Sequence, residues 1–180
     1  MPETKTYSLY LPSEKRTTDT NANASIAITV NSPRYLNQPY IARRRSPYEL
    51  EVSKYSKWDS SPVEIIKEAF RNSILPTGLF REVRISSVIP GDFYVLNIHL
   101  RHFEMSDEGN DSFGEIAFDA FLSSPDGKEL FLDNYSKKIK LADKDFLGLA
   151  KALSNTVDAE LHTVRDNIVR SISKEHKKTF

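Results

Sequence analysis

Aromatic and basic side chains are concentrated between residues 35 and 58, in the stretch YLNQPYIARRRSPYELEVSKYSKW. Aromatic rings beside cations can bind single-stranded nucleic acid, because bases stack on the rings while the cations neutralise phosphates. The same cations could instead bind anionic lipid. Neighbouring residues of a strand point to opposite faces, however, so the three consecutive arginines at 43–45 cannot all face one ligand.

The charge balance of the whole chain argues against nucleic acid. The sequence has 25 Lys plus Arg and 25 Asp plus Glu, a net charge of zero, whereas a nucleic-acid-binding domain normally has a basic excess. Tyrosine and tryptophan also favour half-buried positions in sheets, which explains the rings without a ligand. We therefore predict no nucleic-acid partner and interpret the following aromatics as sheet residues: Tyr35, Tyr40, Tyr48, Tyr55 and Trp58.

No residue pattern predicts a catalytic or metal centre. Glycine-rich phosphate loops, a nucleophile elbow and the HExxH motif are absent, and the lack of cysteine excludes thiol catalysis and cysteine-bound zinc. His99 and His102 are three residues apart on a predicted strand, which places them on opposite faces. Asp107 and Glu108 fall in a predicted turn, where we expect them to be solvated. The sequence thus predicts a protein that is not an enzyme and has no cofactor.

The elements that hold these side chains follow two periodicities. Alternation of apolar and polar residues predicts strands, and the last three are joined by short polar turns into an antiparallel meander. The strands are predicted at 7–11, 25–30, 40–45, 48–58, 82–89, 93–105, 113–124 and 129–141.

Two segments have the three-and-four spacing of an amphipathic helix. The first is predicted at 59–75, where Ser61, Pro62 and Glu64 form a capping box with proline at the first helical position. The second is predicted at 143–173. We expect one α+β domain over residues 1–180, a mostly antiparallel sheet with one face covered by the two helices. Residues 12–24 are predicted as a mobile loop and residues 174–180 as a basic tail.

Two compartments are compatible with the composition. No apolar run is long enough to cross a bilayer, and residues 1–6, MPETKT, lack the apolar core of a secretory leader. The chain is expected to be either cytosolic or the mature part of an exported protein.

The stretch 28–75 resembles a known family, the ABC-type transport auxiliary lipoproteins. These accompany paraquat-inducible and other MCE-type (mammalian cell entry) transport systems. Family members show a strand ending near a proline, a phrase YL-x-x-P-x-I-x-x-R, a second strand with an aromatic phrase ending in tryptophan, and then an amphipathic helix. The matching residues here are Tyr35, Leu36, Pro39, Ile41, Arg44, Tyr55 and Trp58, followed by the helix SPVEIIKEAF.

The resemblance implies a periplasmic lipoprotein that is anchored, usually at the outer membrane, through a lipidated N-terminal cysteine. That cysteine and its leader are not in this sequence. It also implies partners: MCE-domain and ABC transporter subunits that move lipids or other hydrophobic solutes, with a homo-oligomer as a further possibility.

We expect the protein to act by docking to such a complex. The predicted partner contacts are Tyr35, Leu36, Tyr40, Arg43, Arg44 and Arg45. The competing interpretation is that Leu36 and Ile41 fill the core while the arginines are solvated. An alternative function also stays open, a stand-alone periplasmic domain that binds an apolar ligand between its sheet and its helices.

Overall fold

The computed structural model describes residues 2–15 and 22–178. Short 3-10 turns occur at Arg34–Asn37 and Leu75–Thr77. In chain order the strands and helices are β1 (Lys5–Tyr7), β2 (Ser25–Asn31), β3 (Tyr40–Ser46), β4 (Glu49–Trp58), α1 (Pro62–Ile74), β5 (Glu82–Ile85), β6 (Phe93–Glu108), β7 (Asp111–Ser123), β8 (Glu129–Lys140) and α2 (Phe146–Lys178).

The predicted meander is present as β6, β7 and β8. β6 and β7 pair antiparallel from Val95 opposite Ser123 to Glu108 opposite Asp111. The turn between them contains Gly109 at φ 58°, a left-handed conformation that glycine adopts without strain. β8 then returns along the other side of β7.

The sheet forks along the other edge of β6. β2 lies beside the first half of β6, from Ser25 opposite Phe93 to Asn31 opposite His99. β3 lies beside the second half, where Arg43 is opposite Met105. One branch therefore consists of β2 and β5, and the other of β3, β4 and β1. The 3-10 turn after β2 carries the chain from one branch to the other.

The expectation of a mostly antiparallel sheet is wrong, because the sheet is mixed. β2 is parallel to both β5 and β6, β3 is parallel to β6, and β1 is parallel to β4. Antiparallel hairpins leave turn signals in the sequence, whereas parallel partners are brought together by long connections that leave no local pattern. The sequence pattern therefore predicted the hairpins and missed the crossovers.

The first predicted helix is confirmed as α1. The Ser61 side chain accepts a hydrogen bond from the backbone N–H of Glu64 at 3.3 Å, which caps the helix, and Pro62 occupies its first position. Gly78, at φ 68°, ends the 3-10 turn that follows the helix.

Both helices cover one face of the sheet. Phe70 of α1 packs edge-on against Phe118 of β7, with ring centroids 5.7 Å apart. Phe118 also stacks on Tyr135 of β8, whose hydroxyl accepts a hydrogen bond from Asn167 of α2. The face that carries Phe118 is called the inner face below, and the opposite face is called the outer face.

Some helices and strands begin or end at residues other than the predicted ones. α2 begins at Phe146 and continues to Lys178, so most of the predicted basic tail is helical. β1 is Lys5–Tyr7 rather than 7–11, and residues 9 and 11 pack against the apolar core beyond the end of the strand. Part of the predicted loop, residues 16–21, lies outside the described residues.

Candidate functional site

Residues 35–45, here called the docking segment, combine the 3-10 turn with β3. Pro33 begins the turn, and its carbonyl accepts a hydrogen bond from the N–H of Leu36 at 3.1 Å. This geometry turns the Leu36 side chain into the core, where it is 1 % exposed. Ile41 is also fully buried. These two residues fill the core, as the competing interpretation proposed.

The first polar cluster of the docking segment surrounds Glu104 of β6. Glu104 lies on the outer face, and its carboxylate side chain is fully buried. The Nε of Arg44 donates to it at 2.6 Å, and the Tyr35 hydroxyl donates a short hydrogen bond to its other oxygen. The Nδ1 of His102 lies 3.2 Å from it. We call these four residues the Glu104 cluster.

The Glu104 cluster keeps its carboxylate ionised. Burial works to raise the pKa of Glu104, but hydrogen bonds from His102, Tyr35 and Arg44 outweigh it, so the pKa is lowered from its ordinary value. The hydrogen bond to Glu104 raises the pKa of His102. Burial, reinforced by Glu104, raises the pKa of Tyr35 well above its usual range. The cluster is thus a satisfied ionic network in which the tyrosine is a neutral donor.

A second polar cluster forms around Asp107, near the end of β6. Arg43 binds its carboxylate with two nitrogens, Nε at 2.9 Å and Nη2 at 3.1 Å. Arg45 reaches the same carboxylate at 3.1 Å and also pairs with Glu51 at 2.8 Å. The opposing effect of burial is outweighed by Arg43, Ser112 and Arg45, which lower the pKa of Asp107.

The three arginines therefore alternate between faces, as predicted. Arg43 and Arg45 share Asp107, while Arg44 binds Glu104 on the outer face. Their charges are matched by carboxylates of the same chain. None of the three is an unpaired cation.

The aromatic residues do not come together as a platform. Trp58 is buried and meets Phe103 edge-on, with centroids 5.3 Å apart. Tyr40 is 42 % exposed on the docking segment, and Tyr48 is 98 % exposed in the turn between β3 and β4. Of the predicted contacts, Tyr40 and Arg45 are exposed, Tyr35, Arg43 and Arg44 are partly buried, and Leu36 is buried. Their contact with a partner stays a prediction.

The histidine prediction was wrong about faces. A β-bulge between Leu100 and His102 inserts Arg101, so His99 lies opposite Asp119 and His102 lies opposite Ala117. Because those two partners are two residues apart on β7, both histidines lie on the outer face. Within the described residues, no group of three or more potential ligands is close enough to hold a metal ion.

Sequence reasoning missed the two acids that organise the docking segment. Glu104 follows a run of strand residues, and only its place beside buried Phe103 and Met105 signals an unusual carboxylate. The sequence pattern predicts Asp107 in a solvated turn, but β6 continues to Glu108. The three consecutive arginines, which need acidic partners elsewhere in the fold, were the available signal.

A separate groove of about 660 Å³ lies between the N-terminal segment and the two helices. Its apolar lining includes Leu9, Leu11, Ile65 and Leu161. Five carboxylates line it as well: Glu14, Asp59, Glu64, Glu68 and Asp158. Glu14 holds the N-terminal segment to α2, because Arg165 donates to it at 2.5 Å and lowers its pKa.

Comparison with protein families gives a match over residues 7–164 to the model of the ABC-type transport auxiliary lipoprotein component. This range includes both the docking segment and the groove. The chain belongs to that family. The resemblance of residues 28–75 is thereby confirmed, and the protein is an auxiliary transport component. None of its described helices is long and apolar enough to cross a membrane.

Solved structures share the fold of this auxiliary component. A protein from Xanthomonas campestris assigned to the DUF330 family superposes with a TM-score of 0.81 at 15 % identity, covering 96 % of this chain and 99 % of its own. An uncharacterised protein gives a TM-score of 0.69 at 17 % identity, covering 92 % and 99 %. A comparison with curated proteins finds no match. At these identities the similarity concerns the fold alone.

Proposed function

We propose that this protein is a non-catalytic periplasmic lipoprotein component of an ABC/MCE-type transport system for lipids or hydrophobic solutes. In this role it acts as an adaptor that docks to the transport complex in the cell envelope. The observation that carries the proposal is the family match over residues 7–164. The Glu104 and Asp107 clusters are compatible with it, because arginines of β3 bind both acids and hold this strand beside β6.

The proposed contact surface is the exposed part of the docking segment. Tyr40 and Arg45 are each about two-fifths exposed, on one strand whose position is fixed by the two ionic clusters. Tyrosine and arginine are enriched among residues that dominate binding energy at interfaces. Arg43 and Arg44 hold β3 against β6 from opposite faces of the strand, through Asp107 and Glu104.

The proposed location is the periplasm, with an anchor at the outer membrane. A lipid at a cysteine preceding this sequence would tether the domain, while MCE-domain and ABC transporter subunits would be its partners. Permease, ATPase and MCE genes beside this gene would support the proposal. A neighbourhood without any transport gene would count against it.

Docking is tested by a binding measurement with the double variant Y40A/R45S and the purified MCE-domain subunit of the same organism. We expect the affinity to fall at least about tenfold, since hot-spot side chains are lost. Both residues are exposed, so the fold should be unaffected. Substituting all three arginines would be a poorer test, because Arg44 neutralises a fully buried carboxylate.

The matched control is Y10A/R84S. Tyr10 is 81 % exposed, and Arg84 forms an exposed pair with Glu82 on β5, away from the docking segment. It should bind as the native protein does. Equal affinity of Y40A/R45S and the native protein would eliminate this docking surface.

The groove favours a second candidate function, binding of an apolar ligand. Its volume of about 660 Å³ falls in the range of small-molecule sites. It lies between the helices and the N-terminal segment, whereas the sequence-based alternative placed the ligand between sheet and helices. The test is native mass spectrometry of protein purified from its own host. A co-purifying lipid that is lost in the variant I65D, at a groove residue that is only partly buried, would support this function, and a ligand-free protein would argue against it.

A further inference from the structure

The outer edge of β8 is the longest free edge among the described strands. Free edges also occur at β1, at β5 and along residues 49–55 of β4, because β1 pairs only with residues 56–58 of that strand. β1 has three residues and β5 has four, which leaves little backbone to pair with another chain. β8 has 12 residues and pairs with β7 alone in this part of the chain. It offers a full row of backbone donors and acceptors.

β8 has little of the usual protection that keeps an edge strand from pairing with another chain. Lysine side chains on an edge strand normally discourage pairing. Lys137 lies 3.7 Å from Glu160 but is 55 % exposed, so it can still reach a neighbouring strand. The other two lysines of β8 are closely matched within the chain: Lys138 lies 2.5 Å from Glu108 and Lys140 lies 2.7 Å from Asp111. Their positive charges therefore repel a second strand less than free lysines would.

The sequence of β8 is complementary to itself in one register. An antiparallel pair of β8 strands centred on Tyr135 puts Asp133 opposite the second copy's Lys137, and by symmetry this pair occurs twice. These residues share a face with Tyr135, because side chains two apart on a strand point the same way. Oppositely charged residues directly across a sheet stabilise the pairing.

The same register matches apolar residues. Phe131 faces the second copy's Ile139, again twice, and both residues are partly buried in the single chain. Moving the centre to Asn134 or Ser136 places Asp133 opposite Tyr135 or Ile139, so the charge pairs are lost. Only the register centred on Tyr135 satisfies both kinds of pair among these three.

We propose that β8 pairs antiparallel with β8 of a second copy of this chain, centred on Tyr135. The result is a symmetric dimer with one continuous sheet. The proposal is independent of the docking segment, which lies on a different branch of the sheet.

The test is a charge-reversal experiment read by sedimentation velocity over a range of concentrations. The native protein should form a dimer. D133K and K137D each place like charges opposite one another twice, so each variant alone should dimerise at least about tenfold more weakly. An equimolar mixture of the two restores opposite charges at both positions and should recover the native dimer.

The matched control is K54D, which makes the same charge change on β4, where the lysine is exposed. It should dimerise as the native protein does. A monomeric native protein, full dimerisation of either single variant, or no recovery in the mixture would each overturn the proposal.

A disulfide experiment keeps the proposal testable if either charge variant fails to fold. The chain has no cysteine, and the register places Asn134 opposite the second copy's Ser136. Oxidation of N134C/S136C should give a covalent dimer, while S136C alone should not. Failure of the double variant to cross-link would refute the β8 pairing.

Discussion

The two halves of β6 hold their neighbouring strands by different chemistry. In the first half Leu96, Ile98 and Leu100 are buried against the helices, while Asn97 and His99 on the outer face are exposed. In the second half both faces are buried. Phe103 and Met105 fill the inner side, and Glu104 lies within an ionic cluster on the outer side.

The two halves of β6 therefore differ in how strictly they determine which residues the neighbouring strand must carry. Apolar burial holds β2, but it tolerates many residues of similar size. The carboxylates of the second half instead demand particular donors at particular positions, namely Arg43 and Arg44 on β3. We infer that the ionic clusters fix the register of β3 and thereby the position of the docking segment.

The largest effect is expected in the apolar half. Ile98→Ala should lower the free energy of unfolding by about 3–4 kcal/mol, because a fully buried side chain leaves a cavity. Asn97→Ala, its exposed neighbour, should change it by less than about 0.5 kcal/mol. Urea titration measures both. Similar costs for the two would contradict one-sided burial in this half.

A nearly equal effect is expected from the polar half. Glu104→Ala should cost about 3 kcal/mol, since it removes the partner of Arg44, Tyr35 and His102 in a buried network. Glu108→Ala, which breaks only the exposed pair with Lys138, should cost less than about 1 kcal/mol. If both variants unfold at the same urea concentration, the Glu104 cluster is not structural.

Separate substitutions of Arg44 and Arg45 should distinguish the contribution of a buried ion pair to stability from that of an exposed one. Arg44→Ser leaves the Glu104 carboxylate buried with one donor fewer and should cost about 2 kcal/mol. Arg45→Ser removes an arginine that is 40 % exposed and should cost less than about 1 kcal/mol. Thermal unfolding of the two variants side by side measures the difference. A reversed order would mean that Asp107 matters more than Glu104.

The smallest effect is a pH dependence confined to the polar half. The lowered pKa of Glu104 means that its contribution is complete above its ordinary value of 4.5 and is lost as pH falls through the folded-state pKa. The raised pKa of His102 means that its contribution is complete below 6.5 and is lost as pH rises through the folded-state value. Stability from this pair should therefore be greatest between those two pH values.

Glu104→Ala provides the check on this pH dependence. It removes the carboxylate and also the cause of the raised His102 pKa, so its stability profile should be flatter at both ends. Ile98→Ala should keep the native profile shape at lower stability. A Glu104→Ala profile that parallels the native one would assign the pH dependence to other groups.

The apolar half was predictable from sequence, and the polar half was not. The capping residues Ser61, Pro62 and Glu64 predict α1, because capping depends on residues close together in the sequence. Alternation of apolar and polar residues predicts the meander. The bulge at Arg101 has no signature in the sequence, yet it moves His102 to the outer face. The pairing of Arg44 with Glu104 joins residues 60 positions apart, which no local pattern records.

The fork in the sheet has a mechanical consequence. β2 meets β6 through seven residue pairs, whereas β3 meets it through two, so far fewer backbone hydrogen bonds join the second seam. Tension applied at Tyr40 and Arg45 would therefore be expected to open the short seam before the longer seam between β2 and β6. β3 and β4 would then separate from β6, and the Arg43–Asp107 and Arg44–Glu104 ion pairs would resist this separation.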